Sequence, residues 1–319
     1  MAAFRILVVR LSSMGDVIHA LPAAASLKHS FPYSHVSWVI RPRWMPLLEG
    51  NPFLDEVIPL DRTLRGITET WRRLRRERFD LAVDFQGLVQ SALVAAAARA
   101  DKIFGLHRSQ AWEGAAALFY STGLMTTSTH VVDRNLELVA AAGASSLLRT
   151  FPLPQGTPEG RLPEQRFVLA SPLAGWGSKQ WPIERYEDLA QQLELPLVVN
   201  GPPDAEPILS RIRGAHVHIS GISGLIDATR RAHAVIGVDS GPMHLAAALG
   251  KPGVAIFGPT DPARNGPYGG TLRVLRTADA ATTYKRGADA ALSMHAITTA
   301  AVLEALAQSL QEKIAGCSA

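Results

Sequence analysis

The sequence predicts an α/β fold in two successive domains, each a parallel sheet with helices on both faces. Three observations lead there. Short apolar runs ending in polar residues recur along the chain, separated by stretches of helical spacing, as in sheets whose strands are buried on both faces. A proline- and glycine-rich stretch without periodicity, Pro152 to Pro163, interrupts this alternation near the middle and places the boundary at 155/156. The 319 residues suffice for two cores of ordinary domain size.

The first half opens with the strand Arg5-Ile-Leu-Val-Val-Arg10, then the loop Leu11-Ser12-Ser13-Met14-Gly15-Asp16. Gly15 reads as a turn, and a helix is expected from Asp16 to about His29. The loop lacks Gly-x-Gly-x-x-Gly, so a dinucleotide has no glycine cradle here. It offers two hydroxyls and one carboxylate instead. Asp16 has two readings, an N-cap or a general base on the binding face. Further strands are expected at 36–40, 57–60, 80–84 and 102–105, and helices at 44–49, 67–78, 89–99 and 133–142. Arg62, Arg65 and the run Arg72-Arg73-Leu-Arg75-Arg76-Glu-Arg78 form the densest basic segment. That segment is either a solvated helix face or a patch for phosphorylated lipid, since arginine forks match phosphate oxygens, and the 72–78 helix alternatively faces a membrane. Gln86, in Phe85-Gln86-Gly87, either lines the cleft or caps its turn.

In the second half, strands are expected at 167–170, 195–199, 217–219, 235–238, 253–257 and 272–275. A closing helix over 298–313 carries Val302, Leu303, Leu306, Leu310 and Ile314 at helical spacing. It is a candidate to pack back on the first domain. The segment Val235 to Pro262 reads as strand, turn, helix, turn, strand and loop. Gly241 lets the backbone approach a ligand, Pro242 suits the first helical position, and Gly250 ends the helix. A tight turn feeding a helix N-terminus is a ready anion site, so a diphosphate is placed at Ser240 and Gly241. Neither Asp239 nor His244 is needed to make the turn, and both become site candidates. Lys179, after the first strand of this half, is either solvated or a point charge on phosphates or on an acceptor carboxylate. Ser178 or backbone N–H groups would supply the remaining phosphate contacts. After the next strand, a carboxylate is expected on the ribose hydroxyls: Asp204, which alternatively caps the helix that follows, or Glu206. Ser220-Gly221 is placed near a base.

Composition excludes several classes. A net charge of +4 favours an acidic substrate or surface but is far below that of a nucleic-acid coat. The single cysteine, Cys317, excludes an internal disulfide framework and a cysteine zinc site. No signal peptide or spanning segment is evident, so a cytoplasmic protein is expected, at most peripheral on a membrane. No metal-ligand motif or P-loop is present, and neither a metal nor a cofactor is expected.

Asp239-Ser-Gly-Pro-Met-His-Leu-Ala-Ala-Ala-Leu-Gly250, followed by Phe257-Gly-Pro-Thr-Asp-Pro262, closely resembles glycosyltransferase family 9, the lipopolysaccharide heptosyltransferases. Ser12-Ser13-Met-Gly-Asp16-Val, Phe85-Gln86-Gly87 and Lys179-x-Trp181-Pro182 extend the likeness, and the first of these is similar to the heptosyltransferase I branch. The resemblance implies the GT-B fold, two Rossmann-like domains facing across a cleft. It also implies inverting, metal-independent heptosyl transfer from ADP-heptose to a Kdo residue of a Kdo-lipid A type acceptor, at the cytoplasmic face of the inner membrane. Asp16 becomes the catalytic base. Arg10, Ser13, Arg62, Arg65 and Gln86 fall to the acceptor. Lys179, Glu206, Asp239, Ser240, Gly241 and His244 fall to the donor. The chain departs from the pattern at Trp112, where heptosyltransferase I has an acceptor arginine, and Arg108 is the nearby replacement. Two rivals stand beside this reading. One is a family 9 transferase with another donor or acceptor, heptosyltransferase II included. The other is a non-catalytic nucleotide-sugar-binding protein, for which Asp16 has no use.

Overall fold

The structure is a computed structural model and describes residues 4–283 and 292–317. It divides into two compact units, Met1–Pro154 and Gln155–Ala319.

The first unit is a six-stranded parallel sheet in the order β3-β2-β1-β4-β5-β6. In chain order it runs β1 (Arg5–Val9), α1 (Met14–Ser30), β2 (His35–Ile40), a 3-10 turn (Pro42–Leu47) and β3 (Glu56–Pro59). It continues with α2 (Leu64–Arg76), β4 (Leu81–Asp84), α3 (Val89–Ala97), β5 (Lys102–Leu106), β6 (Thr122–Leu124) and α4 (Val131–Ala141). The central strand β1 is buried from Ile6 to Val9, as its unbroken apolar run requires. Two expectations are corrected. In place of the helix expected at 44–49 there is a 3-10 turn over Pro42–Leu47, because Pro46 removes an N–H donor that an α-helix would use. Gly15 lies inside α1, which starts at Met14 because Ser13 and Asp16 close a capping box around its first turn.

The second unit repeats the plan with the sheet order β12-β11-β10-β7-β8-β9. Its elements are β7 (Val168–Ser171), α5 (Ile183–Gln192), β8 (Leu197–Gly201), α6 (Glu206–Leu209), β9 (His216–Ile219), α7 (Ile222–Arg231) and β10 (Ala234–Val238). There follow α8 (Gly241–Ala248), β11 (Gly253–Phe257), α9 (Pro262–Asn265), β12 (Leu272–Arg276), α10 (Leu292–His295) and α11 (Thr299–Cys317). The closing helix α11 packs on β11, β12 and α5 of its own unit, where Val302, Ala305 and Leu306 join the core. Much of its apolar face is therefore spent on its own sheet. The side chains of Ile314 and Cys317 lie outside the described residues.

In both units every strand is parallel, so all loops leaving the carboxyl ends of the strands gather at one edge. In open α/β sheets that edge is where ligands bind.

Candidate functional site

In the first unit, the loop after β1 is fixed from below. Arg10 is buried, and its guanidinium forks between the Phe85 carbonyl, through Nη1, and Asp16 Oδ1, 2.5 Å from Nη2. The other carboxylate oxygen, Oδ2, accepts the Ser13 N–H at 3.0 Å and the Ser13 hydroxyl at 2.8 Å. Asp16 is thus the third helical residue, not the N-cap. Its side chain keeps 29% exposure. Gln86 is buried, and its Oε1 accepts the Leu11 N–H at 2.8 Å. Its side chain holds the loop from beneath.

Asp84, the last residue of β4, anchors this arrangement. It is fully buried and accepts the Tyr120 hydroxyl (2.7 Å), the Ser91 hydroxyl (2.7 Å) and the Gln86 N–H (2.8 Å). Burial pushes its carboxyl up from the ordinary value, against the pull of those hydrogen bonds. A chain of bonds therefore runs from Asp84 through the 85–86 backbone to Arg10 and Leu11, and so to Asp16.

Arg62 and Arg65 are exposed after β3, and Arg65 is engaged with Glu69 at 2.7 Å. Arg41, at the carboxyl end of β2, was missed because Arg41-Pro-Arg has no periodic context. Burial and the neighbouring Arg62 charge lower its guanidinium from the ordinary value. Two like charges kept this close favour an anion beside them. The departure at Trp112 leaves that ring exposed in the loop after β5, with Arg108 exposed nearby.

In the second unit, Lys179 and Asp239 meet although 60 residues separate them. Lys179 Nζ lies 2.5 Å from Asp239 Oδ2, which also accepts the Thr260 hydroxyl at 2.6 Å. His244 Nε2 stands 3.7 Å from Oδ1, a charge-pair distance too long for a hydrogen bond. Burial opposes ionisation of Asp239, but the adjacent His244 and Lys179 outweigh it and hold the carboxyl well below the usual carboxylate range. Asp239 thus fixes the turn and tethers the lysine. The ammonium lies over the Trp176 ring, 4.6 Å from its centre, and retains donors for a further acceptor.

Ser240 is the N-cap of α8 and Gly241 its first residue, so Pro242 is the second helical residue, not the first. Either position suits proline, since neither N–H has an intrahelical partner. The Ser240 and Ser178 hydroxyl oxygens are buried without a hydrogen-bond partner among the described residues. Two unmatched hydroxyls, a tethered ammonium and a helix N-terminus make a concentrated anion-binding edge. Thr260 and Trp176 were not assigned roles from sequence, although Thr260 lies inside the quoted motif.

Glu206 begins the short helix α6 and is exposed; among the described residues its carboxylate forms no ion pair. Asp204 sits within a 3-10 turn and caps no helix there. The N-terminus of α7, beside Ser220-Gly221, is taken by Glu159, whose carboxylate accepts the Gly221 N–H at 2.6 Å and the Gly224 N–H at 3.0 Å. A second anion is not favoured at that helix end. Among the described residues, no group of three or more His, Cys, Asp or Glu side chains could hold a metal.

The profile of Glycosyltransferase family 9 (heptosyltransferase) matches residues 67–294. Lipopolysaccharide heptosyltransferase 1 of Pseudomonas aeruginosa is 30% identical, over 83% of this chain and 81% of its own. The Escherichia coli protein of the same name is 28% identical, over 85% and 93%. The fold superposes on the E. coli heptosyltransferase WaaC with ADP, with a TM-score of 0.78 at 24% identity, covering 96% of this chain and all of that one. With the profile covering most of its length, the chain belongs to glycosyltransferase family 9.

Proposed function

We propose that this enzyme transfers L-glycero-D-manno-heptose from ADP-heptose to a Kdo residue of the lipopolysaccharide inner core, inverting the anomeric carbon. The observation that carries this reading is the Asp16 carboxylate, held by Arg10 and Ser13 at the binding edge of the first sheet yet open to solvent. A binding protein has no need of such a group. Asp16 takes the proton of the acceptor hydroxyl. The acceptor oxygen forms the new bond to the anomeric carbon as the bond to the diphosphate breaks, and ADP leaves with the electron pair. The first unit is the acceptor domain, with Arg41, Arg62 and Arg65 the exposed or half-buried cations toward an acidic acceptor and Arg10 holding Asp16 beside them. The second is the donor domain. Lys179 and the N-terminus of α8 at Ser240 and Gly241 carry the charge that develops on the diphosphate, work that many transferases leave to a metal. The acceptor is of the Kdo-lipid A type, and the enzyme works as a peripheral protein on the cytoplasmic face of the inner membrane.

The test is product analysis by mass spectrometry with ADP-heptose and a Kdo-lipid acceptor, in buffer containing EDTA. A single heptose addition and ADP release are expected. Asp16→Ala should lower kcat by about 10²–10⁴, the usual share of general acid–base catalysis, with ADP affinity nearly kept. Turnover that needs added magnesium would overturn the assignment of the diphosphate charge. No heptose transfer, with turnover of another nucleotide sugar, would overturn the donor.

A further inference from the structure

Helix α2 leaves one apolar flank uncovered. Leu64, Ile67 and Trp71 follow one another at i, i+3 and i+7 and are 86%, 42% and 40% exposed. Its inner face is already spent, since Thr70 and Leu74 are buried against the unit. Next to the apolar flank, Arg65, Arg72 and Arg76 form a stripe at i, i+7 and i+11, all exposed. Arg75 lies over the Trp71 ring, 5.5 Å from its centre, and joins the two stripes. Neighbouring acids neutralise part of this charge: Glu69 pairs with Arg65, Glu56 with Arg73 and Asp101 with Arg78. Among the described residues, Arg62, Arg72, Arg75 and Arg76 take part in no ion pair.

We propose that α2 is the element that docks this protein on a membrane, lying flat on an anionic bilayer with Leu64, Ile67 and Trp71 among the acyl chains and Arg72, Arg75 and Arg76 at the headgroups. The occupant follows from the chemistry of the two stripes. An anionic bilayer surface satisfies an apolar flank and a row of free arginines together, and the long arginine stems let the charges reach the headgroups while the rings sink. Nucleic acid would leave Leu64 and Ile67 in water. Position agrees with this. The N-terminus of α2, capped by Thr63, follows β3 at the same edge where Arg10 and Arg41 end β1 and β2, and the Arg62 charge acts on Arg41. A basic path therefore runs from the docking helix to the Asp16 loop. The proposal deepens the reading above, in which the acceptor is anchored in a lipid surface.

The test uses the full-length protein and acceptor-free vesicles, either phosphatidylcholine alone or a mixture with phosphatidylglycerol, in a sedimentation assay. Wild type should bind the anionic vesicles, release as salt rises, and bind the neutral ones weakly. Each basic residue at an anionic surface is worth a factor of about five, so Arg72→Gln with Arg76→Gln should weaken binding roughly 25-fold. Leu64→Ser with Trp71→Ser should weaken it on both vesicle types. These positions are exposed, and an unchanged thermal midpoint verifies folding. Activity on a water-soluble, deacylated acceptor should stay within about twofold of wild type. Vesicle binding equal in wild type and both variants would overturn the proposal. So would variants that only abolish self-association in light scattering. Loss of heptosyl transfer with intact vesicle binding would instead overturn the functional reading and leave the docking surface standing.

Discussion

Asp239 shows how one side chain can organise its surroundings. It is buried, yet held ionised by the Lys179 ammonium and the His244 ring, and it returns the favour by locating both. Removing one partner of such a buried pair costs about 3–5 kcal/mol, because the other charge is left without compensation. The sign of its pH dependence is fixed by the direction of its shift. Its folded value lies below the unfolded value of about 3.9, so its contribution is complete above about pH 4 and is lost as pH falls through the folded value. The difference in unfolding free energy between wild type and Asp239→Asn should be flat from pH 5 to about pH 4. It should then narrow by up to about 1.4 kcal/mol per pH unit. Denaturant titrations across this range measure it, and a difference that persists unchanged to pH 3 would mean that Asp239 is not held ionised by its neighbours.

Among the elements, β10 and β11 carry the tightest backbone constraint. Gly253 opens β11 with φ +154°, and a Cβ there would stand 1.9 Å from the Val235 carbonyl oxygen across the ladder. Neither atom can move without breaking the pairing that supports the Asp239 turn. Gly253→Ala should therefore destabilise the second unit by about 3 kcal/mol, combining backbone strain with overpacking. For a unit of this size that is a fall in Tm of roughly 10 °C, read by calorimetry. A fall under 2 °C would mean that the strand pair yields easily. Which elements were legible in the sequence follows the same physics. Buried parallel strands such as β1, β4 and β10 are apolar runs with polar ends, and local pattern suffices to find them. The strand β6, three residues with one apolar side chain, exists only because β5 offers it a ladder, and nothing local marks it. Gly15 was misread because a glycine signals a turn only until a capping box claims it. The motif positions of the site were legible, whereas the bond from Lys179 to Asp239 and that from Gln86 to Leu11 were not. Arg41 could have been found by asking which residue follows each strand.

At the scale of the whole molecule, each unit has its own sheet and its own cluster of polar side chains, and the assignment of acceptor to one and donor to the other makes a separable prediction. ADP should slow amide exchange at 178–179 and 239–244 and leave 11–17 nearly unchanged, as hydrogen-exchange mass spectrometry would record. Protection centred on 11–17 would make Asp16 a nucleotide contact and not the base. The junction between the units also carries information. Glu159 lies in what reads as a linker, yet its carboxylate satisfies the first N–H groups of α7 deep in the second half. Recombination between related genes would therefore yield working hybrids when the crossover falls near 154/155. A crossover a dozen codons later would bring in a helix whose counter-charge was inherited from the other parent.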